Sequence, residues 1–319
     1  LTRPIEACHF PRKAILLPHG WTQVKPKYLI ILLLMNLFWA GVYSTYKVLG
    51  QDLATGGIVT LRFGLAALFL LLGWPWYHGA APRGRDFLNA CVMGLVCFVL
   101  GQRLQVYGNE LGTAGNSAVL MSIEPLMTSV AAALFLRERL GPRRLAGFTL
   151  GMCGVALLNG AWRKDFQWTR LTPSLIFVSS FVCEAAYSVI GKPIIAHASV
   201  MKTLALSLVA GTAANLLIDG PRTLHAARTL PLQAWVLLFG LAILCTVIGY
   251  SVWFIVIREC PVNVAALTIF AQSVFGIVIA ALWLHEKLHW GHLFGSLTIV
   301  AGLVLGLSRQ VHRPVATTA

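Results

Sequence analysis

The stretch Ala132-Ala-Leu-Phe-Leu-Arg-Glu-Arg-Leu140 returns 148 residues later as Ala280-Ala-Leu-Trp-Leu-His-Glu-Lys-Leu288. The match runs on, with Leu145, Gly147, Gly154 and Leu157 facing Leu293, Gly295, Gly302 and Leu305 at the same offset. Between 131–160 and 279–308, ten of thirty pairs are identical, and one of them is the charged pair Glu138 and Glu286. Apolar sequence gives chance matches at Leu and Ala, but chance rarely aligns a glutamate and two glycines. The chain is a duplication, and what was duplicated is apolar.

Runs of 18 or more apolar residues fall at about 28–48, 54–74, 87–107, 114–136, 145–162, 171–191, 200–218, 232–256, 262–284 and 291–308. Each is long enough to cross a hydrocarbon core of roughly 30 Å as a helix. Without water, a lone segment can satisfy its backbone only as a helix, and barrel strands would be half as long and alternating. Turn-forming breaks separate the runs at Trp74-Pro75, Ala81–Gly84, Gly141-Pro142 and Asp219-Gly220-Pro221. The expected fold is all-α, a polytopic membrane protein of ten transmembrane helices. An offset of 148 residues holds five spans, an odd number, so the second half enters from the opposite side and the two five-helix repeats are inverted. Secondary transporters are commonly built this way, with the substrate site near the midplane between the halves.

Composition agrees. Of 319 residues, 57% are apolar and 11% charged, against about 25% charged in globular domains. The formal charge of +14 could suggest nucleic acid. No basic stretch carries a nucleic-acid-binding motif, and basic excess in such a chain belongs to cytoplasmic loops. Sixteen Lys and Arg fall on the side of both termini and seven on the other, which places both termini in the cytoplasm, although Arg163, Lys164 and Arg170 sit on the wrong side. The seven cysteines show no CxxC and no metal-finger spacing, so neither disulfides nor a metal site is expected. Residues 1–26 hold only Ala14–Leu17 as an apolar patch, too short for a signal peptide, and the first long run reads as an uncleaved span.

Ionisable groups inside a span are expensive and mark candidate functional sites. Glu124 lies near the middle of the fourth span, and Pro125 beside it frees the Met121 carbonyl. Ser117, Glu124 and Thr128 share a helix face, and the repeat image of Glu124 is Gln272. A carboxyl and an amide are thus expected to meet across a pseudo-twofold axis. Glu124 is the candidate for proton coupling or for binding a substrate amine, the structural alternative being a helix–helix hydrogen bond. The first span presents Asn36, Trp39, Tyr43 and Lys47 in one stripe, and the images of the first two are Glu184 and Tyr187. The third offers Gln102 and Gln105, answered at the same offset by Tyr250 and Trp253. The expected substrate-binding set is Asn36, Trp39, Tyr43, Gln102, Gln105, Glu124, Glu184, Tyr187, Tyr250, Trp253 and Gln272. Aromatic walls with acids and bases suit a small zwitterion or amphipathic metabolite. The acids are Glu124 and Glu184 and the bases Lys47 and Arg103; the alternative is that Lys47 and Arg62 are structural or snorkelling and that Arg103 pairs with Glu110.

A rival reading is enzymatic. His285-Glu286-Lys287-Leu288-His289 fits the H-E-x-x-H zinc pattern, with His292 as a third candidate ligand. Its repeat image, Arg137-Glu138-Arg139-Leu140, has no metal ligands, and no Asp or Glu follows Glu286. An intramembrane zinc metalloprotease and a channel remain the alternatives to a carrier, and the expectation is no enzyme, no cofactor and no metal.

The chain resembles the drug/metabolite transporter superfamily in its two-domain EamA branch. The residues that carry this are Phe38–Gly41 with Lys47, Leu61-Arg62-Phe63, Pro125 followed by Ala131–Leu140, and Gly147, Gly151 and Gly154, with their echo in the last two spans. The second half departs at Ser273, where the first has Pro125. The resemblance implies a ten-helix carrier in a bacterial inner membrane that moves a small metabolite, an amino acid or related compound, by export and alternating access. It divides the chain into an N-terminal tail (1–26), a first repeat (27–162), a connecting loop (163–170), a second repeat (171–308) and a C-terminal tail (309–319). The partners expected are the small-molecule substrate and the lipid bilayer, with no nucleic acid. The glycines of the fifth and tenth spans are expected to serve close packing or a homodimer face.

Overall fold

The structure, a computed structural model, describes residues 26–111, 120–121, 123–138, 140–158, 171–283 and 290–307. Among the described residues every regular element is helical. They form ten rods: α1 (Pro26–Leu49), α2 (Thr55–Leu72), α3 (Arg85–Leu111), α4 (Ile123–Phe135), α5 (Pro142–Leu158), α6 (Leu171–Ile195), α7 (Val200–Ala227), α8 (Leu232–Glu259), α9 (Val262–Leu267 with Phe270–Trp283) and α10 (Trp290–Leu307). α1, α2, α3, α7, α8 and the stretch Leu175–Ile195 of α6 are long and apolar enough to cross a bilayer, and shorter apolar helices lie in α4, α9 and α10. The tails, the connecting loop and the HEKLH stretch lie outside the described residues.

Prolines set several starts. Pro26 and Pro142 open α1 and α5, and Pro231 and Pro261 stand just before α8 and α9. A first-turn proline loses no helical bond, because the N–H it lacks has no partner there. The break expected at Asp219-Gly220-Pro221 is absent: α7 runs unbroken from Val200 to Ala227 with Pro221 inside it. The reason is tertiary. Asp219 forms an ion pair with Arg103 of α3, and Asn215 one turn earlier accepts from Arg103 Nε at 2.8 Å. At 28 residues α7 spans about 42 Å, longer than the hydrocarbon core it crosses.

The packing is two-fold. α2 lies on α7, α4 on α9 and α5 on α10; α3 packs on α6 as α8 packs on α1, and α4 on α6 as α9 on α1. Exchanging each helix for the one five places on maps this set onto itself. The image helices run antiparallel: Gly56 approaches Asp219 while Gly64 approaches Thr212, and Gly147 meets Gly302 and Gly306 while Gly154 meets Gly295. The repeats are therefore inverted. The α5–α10 seam is closed by these glycines, where an added Cβ on Gly154 would stand 2.7 Å from the Gly295 carbonyl. In lipid, where apolar surface gains nothing by leaving the solvent, such backbone proximity supplies the attraction.

Large apolar side chains face outward, Leu217 at 87% exposure and Leu134 at 71% among them. In water such a surface would aggregate; against acyl chains it is solvated. The polar residues are inside instead. Asn36, Thr203, Ser207, Asn215, Thr246, Asn263 and Thr268 are fully buried, and Arg62 is 3% exposed.

Candidate functional site

Two kinds of irregularity in the helices build the site, and both occur twice. α3 and α8 each widen into a π-helical turn, at Leu95–Gly101 and Leu241–Ile248, which overlap at the repeat offset. Such turns free carbonyls and re-aim the side chains that follow, and they recur at functional sites. Each is plugged from the other half of the chain. Asn215 Nδ2 of α7 donates to the Phe98 carbonyl at 3.0 Å, and Trp39 Nε1 of α1 donates to the Cys245 carbonyl at 2.8 Å. Gly249 makes the second contact possible, since a Cβ there would stand 2.6 Å from Trp39 Nε1. The residues aimed by the two turns are Gln102 and Gln105 in α3, and Tyr250 and Trp253 in α8.

The second irregularity is a break. α9 stops at Leu267 and resumes at Phe270. The image position in the first half is also a turn, at Met121, before α4 starts at Ile123. Tight bonds cross both breaks: Glu124 N to Met121 O at 3.2 Å, and Gln272 N to Ile269 O at 2.9 Å. Pro125 is thus not a kink in a continuous helix. It sits in the first turn of a new one, as Ser273 does in α9, and the break needs no proline. Glu124 and Gln272 are both first-turn residues of half-helices that begin inside the bundle.

Gln272 does not meet Glu124. Its Nε2 donates to Asn36 Oδ1 of α1 at 2.9 Å, while Asn36 Nδ2 donates to the Leu32 carbonyl at 2.8 Å and to Thr268 Oγ1 at 3.1 Å. The images of Asn36 and Gln272 are Glu184 and Glu124. Where the second half joins α9 to α1 through two amides, the first half sets two acids, on α4 and α6. They lie within electrostatic reach of one another, and Glu124 is also within reach of Tyr43. Among the described residues, no donor is bonded to the Glu124 carboxyl.

Glu184 is well supplied. Oε1 accepts from Gln102 Nε2 at 2.6 Å and from Tyr250 Oη at 3.3 Å, and Oε2 accepts from the Cys97 thiol at 3.5 Å. With its NH2 on Glu184, the Gln102 amide must turn its oxygen the other way. That oxygen accepts from Tyr46 Oη at 3.1 Å and from Arg62 Nη1 at 3.4 Å. Arg62 also donates to Tyr46 Oη and, through Nε, to Thr246 Oγ1 at 2.9 Å. A buried cation and a buried carboxylate are thus joined through one amide. Each lowers the cost of holding the other out of water.

Rings form the opposite wall. Tyr187 stacks on Phe254 at 4.4 Å and meets Tyr250 at 5.0 Å; Trp39 meets Tyr250 at 5.7 Å and Trp253 at 6.3 Å. Trp253 Nε1 donates to Ser188 Oγ at 3.0 Å, and the Tyr187 hydroxyl has no partner among the described residues. Tyr43 Oη lies 2.7 Å from Met121 Sδ, at the α4 break. Nine of the eleven expected side chains thus fall into bonded or ring-contact groups around the α1, α3, α4, α6, α8 and α9 seam, and Glu124 lies within electrostatic reach of Glu184 and Tyr43. Gln105 is buried, and among the described residues no hydrogen bond joins it to them.

Two further expectations change. Arg62 neither snorkels nor lies at a helix end; it is at the centre, and its signal was the polar trio Tyr46, Gln102 and Thr246 on facing helices. Arg103 pairs with Asp219 of α7 rather than Glu110, whose carboxylate instead accepts from Thr55 Oγ1 at 2.6 Å. Among the described residues no three His, Cys, Asp or Glu gather as a metal site would require.

With this geometry in hand, likeness to known proteins is informative. The profile described as the EamA-like transporter family matches twice, over residues 26–160 and 171–308. An uncharacterized transporter of Archaeoglobus fulgidus is 26% identical over 296 residues, covering 88% of this chain and 97% of that one. A probable terminal-alkyne amino-acid exporter of Streptantibioticus cattleyicolor is 24% identical, covering 88% and 94%. A probable amino-acid metabolite efflux pump of Escherichia coli is 26% identical over 61% of this chain and 67% of its own. A crystal structure shares the fold with a TM-score of 0.70 at 17% identity, covering 88% of this chain and 96% of that one.

Proposed function

We propose, from the premise that the chain belongs to the EamA-like transporter family, that it exports an amino acid or a related small amine-bearing metabolite. The carrier is not an enzyme in this reading, and it works by alternating access in a bacterial inner membrane with both termini cytoplasmic. The observation that carries the reading is the broken symmetry of one contact. The amide pair Asn36 and Gln272 is self-sufficient, whereas its image is two acids, Glu184 and Glu124. Two carboxylates brought together in a low dielectric repel unless a cation joins them or one holds a proton. A substrate ammonium or a proton fills that need, and the two can take turns.

The surroundings support this. Tyr43, Trp39, Tyr187 and Tyr250 supply apolar faces with polar tips, suited to an amphipathic metabolite. The names of two relatives, an amino-acid exporter and an amino-acid metabolite efflux pump, point the same way.

The test is transport in proteoliposomes with an imposed pH gradient, over a panel of amino acids. A saturable flux that follows the gradient is expected, and Glu124→Gln with Glu184→Gln should abolish the response. Variants that match the parent in rate and in gradient response would overturn the site. A flux that rises linearly with substrate would mark a channel.

A further inference from the structure

Away from the acids, Glu138 joins the two halves of the chain through a carboxylate whose position is set by the backbone. α4 ends in a turn where Glu138 N donates back to the Ala132 carbonyl at 3.3 Å and Leu136 N to the same oxygen at 2.9 Å. That closure needs a left-handed residue just before Glu138, a place usually given to glycine. Here it is Arg137, at φ 55°, the one non-glycine residue with positive φ among those described. A left-handed arginine is unfavourable, and it persists where the surroundings over-determine it. What this turn achieves is the aim of the Glu138 side chain.

The carboxylate is bonded on both oxygens, entirely to the second half. Oε1 accepts from Lys192 Nζ of α6 at 2.8 Å and from the backbone N–H of Val262 at 2.8 Å; Oε2 accepts from the N–H of Asn263 at 3.0 Å. Lys192 Nζ also donates to the Cys260 carbonyl at 3.0 Å, and Arg144 of α5 donates to Asn263 Oδ1 at 2.6 Å. Glu138 and Lys192 side chains are only 10% and 19% exposed. The end of α4 is therefore fastened to the end of α6 and the start of α9. α1 begins at this same end of the bundle, where Tyr28 faces Glu259.

We propose that Glu138 is the latch of a gate at this end, closed in this structure, and that Lys192 and the first N–H groups of α9 are its keeper. The inference rests on the alternating-access reading, because a rocking of the two halves must part α4 from α9 here. Those are the helices that carry Glu124 and Gln272. Opening this end unfastens four hydrogen bonds at one point, three of them on Glu138, so the latch sets how often the path opens to the side on which the chain starts.

Cys260 is a built-in reporter, since it is 2% exposed and its carbonyl accepts from the keeper. In purified detergent-solubilised protein with the other six cysteines replaced, N-ethylmaleimide labels Cys260 at a rate proportional to the open population. Glu138→Gln and Lys192→Met should each raise that rate about tenfold, the change that about 1.4 kcal/mol makes in an equilibrium. The double variant should go little beyond the larger single one. Asp86→Asn removes the exposed pair with His197 on the same face and should leave the rate unchanged. The latch is overturned if a folded Glu138 or Lys192 variant labels at the parental rate, or if Asp86→Asn accelerates labelling equally. It is also overturned if both latch variants lose the folded peak in size exclusion, for the contact would then belong to the fold and not to a gate. No substrate enters this measurement, so its failure is distinct from a failure of the transport assay.

Discussion

Replacing Arg62 by Met tests whether a cation at the centre of the bundle is coupled to Glu184 through Gln102. Arg62 is 3% exposed, so its guanidinium has no water to retreat to. Thr246 Oγ1 still donates to the Leu241 carbonyl at 3.0 Å, and Tyr46 Oη still reaches Gln102, so the acceptors left behind keep one bond each. The larger loss falls on Glu184, whose negative charge then has no cation to balance it. Breaking a buried pair from one side costs about 3–5 kcal/mol, and the intervening amide puts this case at about 3. Unfolding entropy of about 2.1 cal/mol/K per residue converts this to a fall in Tm of at least about 4 °C. Glu184→Gln alone strands the opposite charge and should cost a comparable amount. The double variant leaves neither charge, and the coupling between the two sites should return about 1–3 kcal/mol. Thermal unfolding of the four proteins in one detergent, followed by intrinsic fluorescence, measures the cycle. A double variant whose fall in Tm equals the sum of the single falls would refute the relay.

Three further outcomes follow from close contacts. Gly249→Val places a side chain where Trp39 Nε1 reaches the Cys245 carbonyl, so tryptophan emission should shift and the transport KM rise about tenfold, worth about 1.4 kcal/mol; unchanged emission would remove Trp39 from that position. Gly154→Leu overfills the α5–α10 seam against the Gly295 backbone and should cost about 1–3 kcal/mol of thermal stability, leaving KM alone because the atoms it meets, of Gly295 and Ile299, belong to no site residue. Arg103→Leu strands Asp219 inside α7 and should cost about 2 kcal/mol, most of it recovered by adding Asp219→Leu; a double variant no more stable than the single one would mean that the pair is not coupled.

The spans and their inverted duplication were legible because both are properties of long segments. Hydropathy averages over some twenty residues, and an offset of 148 can be checked at many positions at once. Local departures from the helix were not legible in the same way. Asp219-Gly220-Pro221 has the composition of a turn, yet α7 continues through it because Arg103, 116 residues earlier, supplies Asp219 with a partner. The break at Thr268 and Ile269 carries no proline or glycine, and only its alignment with Met121 could have pointed to it. The paired π turns are framed by Gly94 and Gly101 and by Gly240 and Gly249, a signal visible in the chain but ambiguous until the plugging side chains are known. Arg62 was misjudged for a similar reason. Counted from the loop it looks near a helix end, and only the packing of α2 against α3 and α8 shows it to be enclosed.

A duplicated scaffold makes the two ends of the bundle nearly equivalent, so the scaffold alone gives little reason to prefer one opening over the other. The direction of work must come from where the halves differ, and they differ mainly in charge. The image of Arg62 is Ala210, that of Arg103 is Ser251, that of Gln102 is Tyr250, and the acids Glu124 and Glu184 answer Gln272 and Asn36. Backbone devices are kept in both halves: the π turns and the breaks before Glu124 and Gln272. The backbone devices are shared, and the charged residues of the site are not, although Glu138 and Glu286 match elsewhere. A cation arriving between Glu124 and Glu184 therefore stabilises one arrangement of a shape that could take either, while the amide pair on the other side is satisfied throughout. Since a ligand shifts an equilibrium only by its differential affinity for the two states, it is this inequality of charge, laid on an equality of backbone, that can couple cargo to the movement of the halves.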